Sequence, residues 1–186
     1  MNNKYKKLIT TVLKASESSN WGDAVKEWEI VDCDEDENCE TICICGKEGL
    51  RYLFKIHNLI NNKYLYPIGS SCIKKFNIDV LSDEANLREK EFELYHIIKE
   101  NKFIELKGGC FSRKLLKKLY DDGVFLPTKY NDYKPYNDYK FLLDMFNKKK
   151  PSDKQLKKST AIILNSIVPF IRQRIEKTTS ENNWSK

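Results

Sequence analysis

Residues 39–76 read CETICICGKEGLRYLFKIHNLINNKYLYPIGSSCIKKF, and this stretch decides the fold. It holds four of the six cysteines: Cys39, Cys43 and Cys45 close together, then Cys72 after two apolar runs. Thiolates are soft ligands, and tetrahedral zinc bound by three or four of them closes a loop that a small core cannot hold by itself. Gly46, directly after Cys45, lets backbone amides turn toward the sulfurs. Gly69-Ser70-Ser71 puts Cys72 at the opening of a helix, where free amides favour a thiolate. Cys43, Cys45 and Cys72 are therefore the expected ligands of Zn2+. A structural site needs a fourth donor. Cys39, four residues upstream, is the first choice because it can loop back; His57, in a strand, is the alternative, and Cys33 and Cys110 are more remote.

Working outward, 50–56 and 64–68 read as two strands joined across Asn61-Asn62, since asparagine tolerates the left-handed backbone of a tight turn. Pro67 places the second strand at an edge or at its end, because proline cannot donate to a ladder. Upstream, 4–17 carries Tyr5, Leu8, Ile9, Val12 and Leu13 on one helical stripe, and 27–31 alternates like a strand. The acidic residues Asp32, Asp34, Glu35, Asp36 and Glu37 read as a solvated loop. Downstream, the periodicity predicts helices over 72–76, 82–100, 112–121, 136–147 and 152–177, the last interrupted at Pro169. The expected fold class is α+β. A zinc-stapled β-hairpin module with an N-terminal helix occupies residues 1–80, and a helical region 81–186.

Composition bounds the function. In 186 residues, 40% hydrophobic and 12% aromatic, there is enough apolar material for one core plus a zinc module. No apolar run approaches the ~20 residues that cross a bilayer. The start MNNKYKKL lacks the apolar stretch of a secretory signal, so a cytoplasmic protein is expected, its cysteines thiols or metal ligands. Charge is uneven: residues 1–40 hold five lysines against ten acids, and the remainder 28 basic against 17 acidic residues. That asymmetry permits a basic surface for phosphate or an acidic partner, although solvated surface is the ordinary outcome.

The segments CICGK, LRYLFKIHN and LYPIGSSCIKKF resemble a small zinc-binding module found in proteins of phages and mobile elements of Gram-positive bacteria. The module has the form C-x-C-G, an aromatic and aliphatic strand ending in asparagine, and a closing G-x-x-C. The likeness covers roughly residues 25–78 and rests on Cys43, Cys45, Gly46, Asn58, Gly69 and Cys72. Some relatives carry a cysteine where this chain has Phe54. The tail segments LLKKLYDDGVF and DYKFLLDMFNK are similar to tails in the same group. The resemblance implies a non-enzymatic protein of the host bacterial cytoplasm. It also implies a class of partner, since some small metalloproteins of this origin inhibit CRISPR effector nucleases.

The residues themselves point away from catalysis. There are only two histidines, His57 and His96, and no nucleophile elbow, phosphate loop or deaminase pattern. His96 reads as an ordinary helix histidine, and the acids at 32–37 lack the spacing of a calcium loop. For contacts with a partner, the candidates are Lys114, Lys117 and Lys118 on the 112–121 helix and Lys154, Lys157 and Lys158 on the next basic helix. Tyr130, Tyr133, Tyr136 and Tyr139 lie in the duplicated run KYNDYKPYNDYK, interleaved with Lys129, Lys134 and Lys140. They suit base stacking, but packing of the loop onto the helices is the first expectation. Two function classes follow: a binding inhibitor of a defence nuclease, or a nucleic-acid-binding accessory protein.

Overall fold

Apolar spacing in the first helix sets the core of the N-terminal unit. The structure, a computed structural model, describes residues 3–174. In α1 (Asn3–Ala15), Leu8 and Val12 lie one turn apart and are fully buried. The chain turns through a short helix α2 (Trp21–Ala24), whose Asn20 cap accepts from the Asp23 amide. It then enters β1 (Trp28–Glu35). Together with β2 (Tyr52–Asn58) and β3 (Tyr64–Ile68) this makes a three-stranded antiparallel sheet in the order β1-β2-β3.

The acidic run is not a solvated loop throughout. Asp32, Asp34 and Glu35 belong to β1, opposite Lys55, Leu53 and Tyr52. Backbone pairing with a strongly apolar partner outweighs the low strand propensity of the acids, and Arg51 Nε donates to Glu35 Oε1 at 2.7 Å. Val31 is the extra residue of a bulge between Ile30 and Asp32, which leaves its side chain exposed. Pro67 lies both at the sheet edge and in the β3 irregularity between the Phe54 and Ile56 pairings, the places where its missing N–H is harmless.

The hairpin turn is anchored from below. Asn58 Oδ1 accepts from the amides of Ile60 and Asn61, and Asn62 takes the left-handed backbone at φ 59°. Asn58 Nδ2 donates to the Glu27 carboxylate, which also accepts from the Glu17 and Ser18 amides just past α1. Burial opposes charge on Glu27, but these three donors outweigh it and hold the carboxyl below its usual range. Trp28 Nε1 donates to Ser16 Oγ alongside. A buried polar network therefore fixes α1 to the hairpin.

Two compact units divide the chain, Met1–Glu89 and Lys90–Lys186. The division lies within the long helix α4 (Asp79–Lys99), after the short α3 (Ser70–Ile73); a break after residue 80 would cut α4 near its start. In the second unit, α5 (Arg113–Asp121) buries Leu115, Leu116 and Leu119 and is capped by Ser112, whose Oγ accepts from the Leu115 amide. Helices α6 (Pro135–Asn147) and α7 (Asp153–Ile162) follow, the latter opened by a Ser152–Gln155 capping box.

Helix α7 does not break where proline enters. It widens into a π turn, Ile163–Ile167, and regains α geometry through the last described residues. Pro169 lacks a donor and its ring crowds the carbonyl four residues back, so a wider turn just before it relieves the clash. Residues 175–177 of the expected helix lie outside the described residues. Among the described residues, no helix is long and apolar enough to cross a membrane.

Candidate metal centre

Three cysteine sulfurs come together. The Sγ atoms of Cys43, Cys45 and Cys72 all lie within 4.8 Å of one another, and the residues are 3%, 3% and 2% exposed. Sequence distance is closed by the sheet edge: the Ile44 amide donates to the Pro67 carbonyl of β3, bringing the 43–46 knuckle against the strand that leads to Cys72. Within the knuckle, the Cys43 amide donates to Lys47 O and the Gly46 amide to Cys43 O. Gly46 sits at φ +83°, a backbone region that a side chain resists. Gly69 is fixed by space instead, since a Cβ there would stand 2.8 Å from Leu50 Cδ2.

The separation of Cys43 Sγ and Cys72 Sγ, 3.7 Å, discriminates between chemistries. A disulfide requires about 2.05 Å. Two thiolates on one tetrahedral zinc, each about 2.3 Å from the ion, stand about 3.8 Å apart. The spacing fits a shared metal, and all six cysteines are free thiols. Hydrogen bonding from Cys72 draws the Cys43 thiol down to about 5 against its burial, with help from the Cys45 and Gly69 amides. Cys72 is pushed up by the same neighbour and by burial. Metal ligation requires thiolates, and these hydrogen bonds favour the anionic form of Cys43. A methyl added to Gly46 would meet Lys7 Nζ at 3.5 Å, so an ammonium of α1 lies beside the knuckle.

The other sequence candidates lie elsewhere. Cys39 is half-buried at φ 55° in a loop organised by Asp36, and its sulfur is outside the three-thiol group. The Asp36 carboxylate accepts from the amides of Asn38, Glu40 and Thr41 and from Thr41 Oγ1. The Thr41 hydroxyl above all holds that carboxyl below its usual range. His57 is taken up by Glu29 and Asn62, with its ring stacked on Tyr64 at 4.7 Å. Cys33 is a buried β1 thiol pushed upward by burial, and Cys110 is a half-buried residue of the second unit. A cleft of about 200 Å³, lined by Lys47, Arg51, Ser70 and Ser71 among others, opens beside Cys43 and Cys72.

The lysines divide into two groups. Lys118 is 17% exposed and pairs with Glu91 and Asp122, which Arg174 also meets; Lys117 pairs with Asp121. Burial would raise Asp122, but its bonds to Lys118 and Arg174 hold it below its usual range. Lys114, Lys154 and Lys157 are exposed, and Lys158 lies over the Phe141 ring at 4.6 Å.

The duplicated tyrosine run also departs from expectation. Tyr139 stacks on Tyr120, but Tyr130 and Tyr133 are 77% and 70% exposed. What packs is the asparagine of the first copy against the aspartate of the second. Asn131 Nδ2 donates to Asp138 Oδ2 at 2.7 Å, and both residues are buried. No periodic signal marks that pair, because both residue types are usual in turns. No family model, curated protein or solved structure matches this chain.

Proposed function

We propose that this chain is a zinc-stapled protein that acts by binding rather than by chemistry. Cys43, Cys45 and Cys72 hold Zn2+ in the first unit, and a fourth donor completes the coordination. The observation that carries this reading is the 3.7 Å separation of Cys43 and Cys72 sulfurs, too long for a disulfide and suited to one tetrahedral ion. Three thiolates outweigh the charge of the ion, which weakens its pull on a bound water, and His57 is engaged elsewhere. Both features favour a structural metal.

The partner we propose is a bacterial CRISPR effector nuclease, whose target-DNA loading or cleavage the protein blocks in the host cytoplasm. The support is the resemblance of the C-I-C-G and G-S-S-C segments to phage and mobile-element modules. Cleavage assays over several effector subtypes test it. Inhibition is expected to saturate near one inhibitor per effector, whereas an enzyme acts at far lower ratios.

A second reading, a nucleic-acid-binding accessory protein, is favoured by the exposed Tyr130 and Tyr133 with Lys129 over the Tyr130 ring at 5.0 Å. Gel shifts with plain DNA and RNA at rising salt separate the two, because phosphate contacts weaken steeply with salt. Tight, salt-sensitive binding without inhibition of any effector favours the second.

A further inference from the structure

The second unit holds a cavity of about 470 Å³ that the metal reading does not use. It is lined by Thr128, Tyr130, Asp138, Lys158, Asn165 and Ser166, with Ala161 and Ile162 as apolar wall. Small-molecule sites usually have about this size, with an apolar lining and a few convergent polar groups.

Three features suggest that the cavity is built for a ligand. Asp138 is 7% exposed and lines the cavity, and Asn131 Nδ2 donates to its Oδ2. Tyr130 presents an exposed ring, and the backbone just after it is held in left-handed geometry at Asp132 (φ 56°) and Tyr133 (φ 58°). Such geometry is costly for a bulky residue like tyrosine. The opposite wall comes from the π turn Ile163–Ile167, which supplies Asn165 and Ser166. Pro169 accounts for the turn's existence; its position on the cavity wall is a separate fact, and π turns recur at functional sites.

The lining chemistry narrows the ligand. A carboxylate accepts paired N–H donors, an aromatic ring stacks on a planar one, and an ammonium at the rim pairs with an anion. A cationic ligand such as a guanidinium would satisfy Asp138 but would be repelled by Lys158. A free amino acid would leave most of the volume empty. A guanine nucleotide meets all three demands: its N1–H and N2–H edge matches a carboxylate, its ring stacks, and its phosphate pairs with the ammonium. Adenine lacks that donor edge.

We infer that this cavity is a recognition site for a guanine nucleotide, with Asp138 accepting the N–H edge, Tyr130 stacking on the base and Lys158 meeting the phosphate. The nucleotide is either free or part of a single-stranded nucleic acid. The inference stands independently of the metal.

Calorimetric titration of the full chain, purified with its metal, tests it with GMP, AMP, and matched single-stranded RNAs containing guanosine or adenosine. GMP is expected to bind at least tenfold more tightly than AMP. Tyr130→Ala is expected to weaken GMP about tenfold, the loss of one stacked base. Because Tyr130 is 77% exposed, that variant keeps the fold. Asp138→Asn is expected to abolish the preference for guanine; since it also touches Asn131, its melting temperature is measured in parallel, and Tyr130→Ala carries the test if it fails to fold. Tighter, salt-sensitive binding of the guanosine RNA than of GMP identifies nucleic acid as the source, and equal binding a free nucleotide. Absence of binding to GMP and to the guanosine RNA at millimolar concentration, or equal affinity for guanine and adenine, overturns the inference.

Discussion

Asn58 Nδ2 donates to the Glu27 carboxylate at 2.7 Å across 31 positions of sequence, and both side chains are buried. The contact joins the hairpin that leads to Cys72 to the end of α1, so the metal knuckle rests on a fixed base. Replacing Glu27 by alanine leaves Asn58 Nδ2 and the amides of Glu17 and Ser18 without their acceptor. A loss of about 2–4 kcal/mol is expected in denaturant titrations.

The same carboxylate makes stability depend on pH. Its folded pKa lies below the ordinary value of 4.5, so its contribution is complete above that value and is lost as pH falls through the lower, folded one. Melting temperatures of wild type and Glu27→Gln are expected to converge as pH falls from 6 toward 3. Metal loss in acid affects both proteins, so the difference between them is the readout. A constant difference would show that folding leaves the Glu27 pKa unshifted.

In the second unit, Asn131 and Asp138 join the two halves of the YNDYKPYNDYK duplication. Asn131→Ala is expected to cost roughly 2–3 kcal/mol, because it removes donors to Asp138 and Leu126 O and the acceptor of the Thr128 amide. A double-mutant cycle with Asp138→Ala is expected to return a coupling energy above about 1 kcal/mol. Additive effects would mean that the pair contributes nothing as a pair.

The lysine groups are expected to respond differently to charge reversal. Lys118→Glu sets a like charge against Glu91 and Asp122 and lowers the melting temperature. Lys154→Glu and Lys157→Glu change exposed residues and leave it within about a degree, whatever they do to partner binding. Equal melting temperatures for all three variants would remove the distinction.

Much of this was legible in the sequence, for identifiable reasons. Cys43, Cys45 and Cys72 stood out because glycines flank the thiols, and the structure brings those three sulfurs together. Ser112 and Ser152 announced their helices because caps are local chemistry. Cys39 reads as the first choice for the fourth donor only because it lies four residues upstream of Cys43 and can loop back. Its loop is shaped by four hydrogen bonds to Asp36, which no periodicity reveals. The acids of β1 read as loop because strand pairing with β2 is a tertiary effect. The π turn was hidden for a similar reason: proline signals disruption without saying whether the helix breaks, bends or widens.

The fourth metal donor can be examined directly. Cys39→Ser is expected to retain the metal content of wild type, as are Cys33→Ser and Cys110→Ser, because none of these sulfurs belongs to the cluster. Loss of metal from Cys39→Ser alone would mean that its loop closes over the ion.

X-ray absorption at the zinc edge, with elemental analysis of protein purified without added metal, shows whether the three thiols hold an ion. One zinc per chain is expected, with three sulfurs at about 2.3 Å and one lighter donor, and with Cys43→Ser, Cys45→Ser or Cys72→Ser losing both metal and fold. A metal-free protein that folds normally, or a zinc bound without sulfur, would contradict the account.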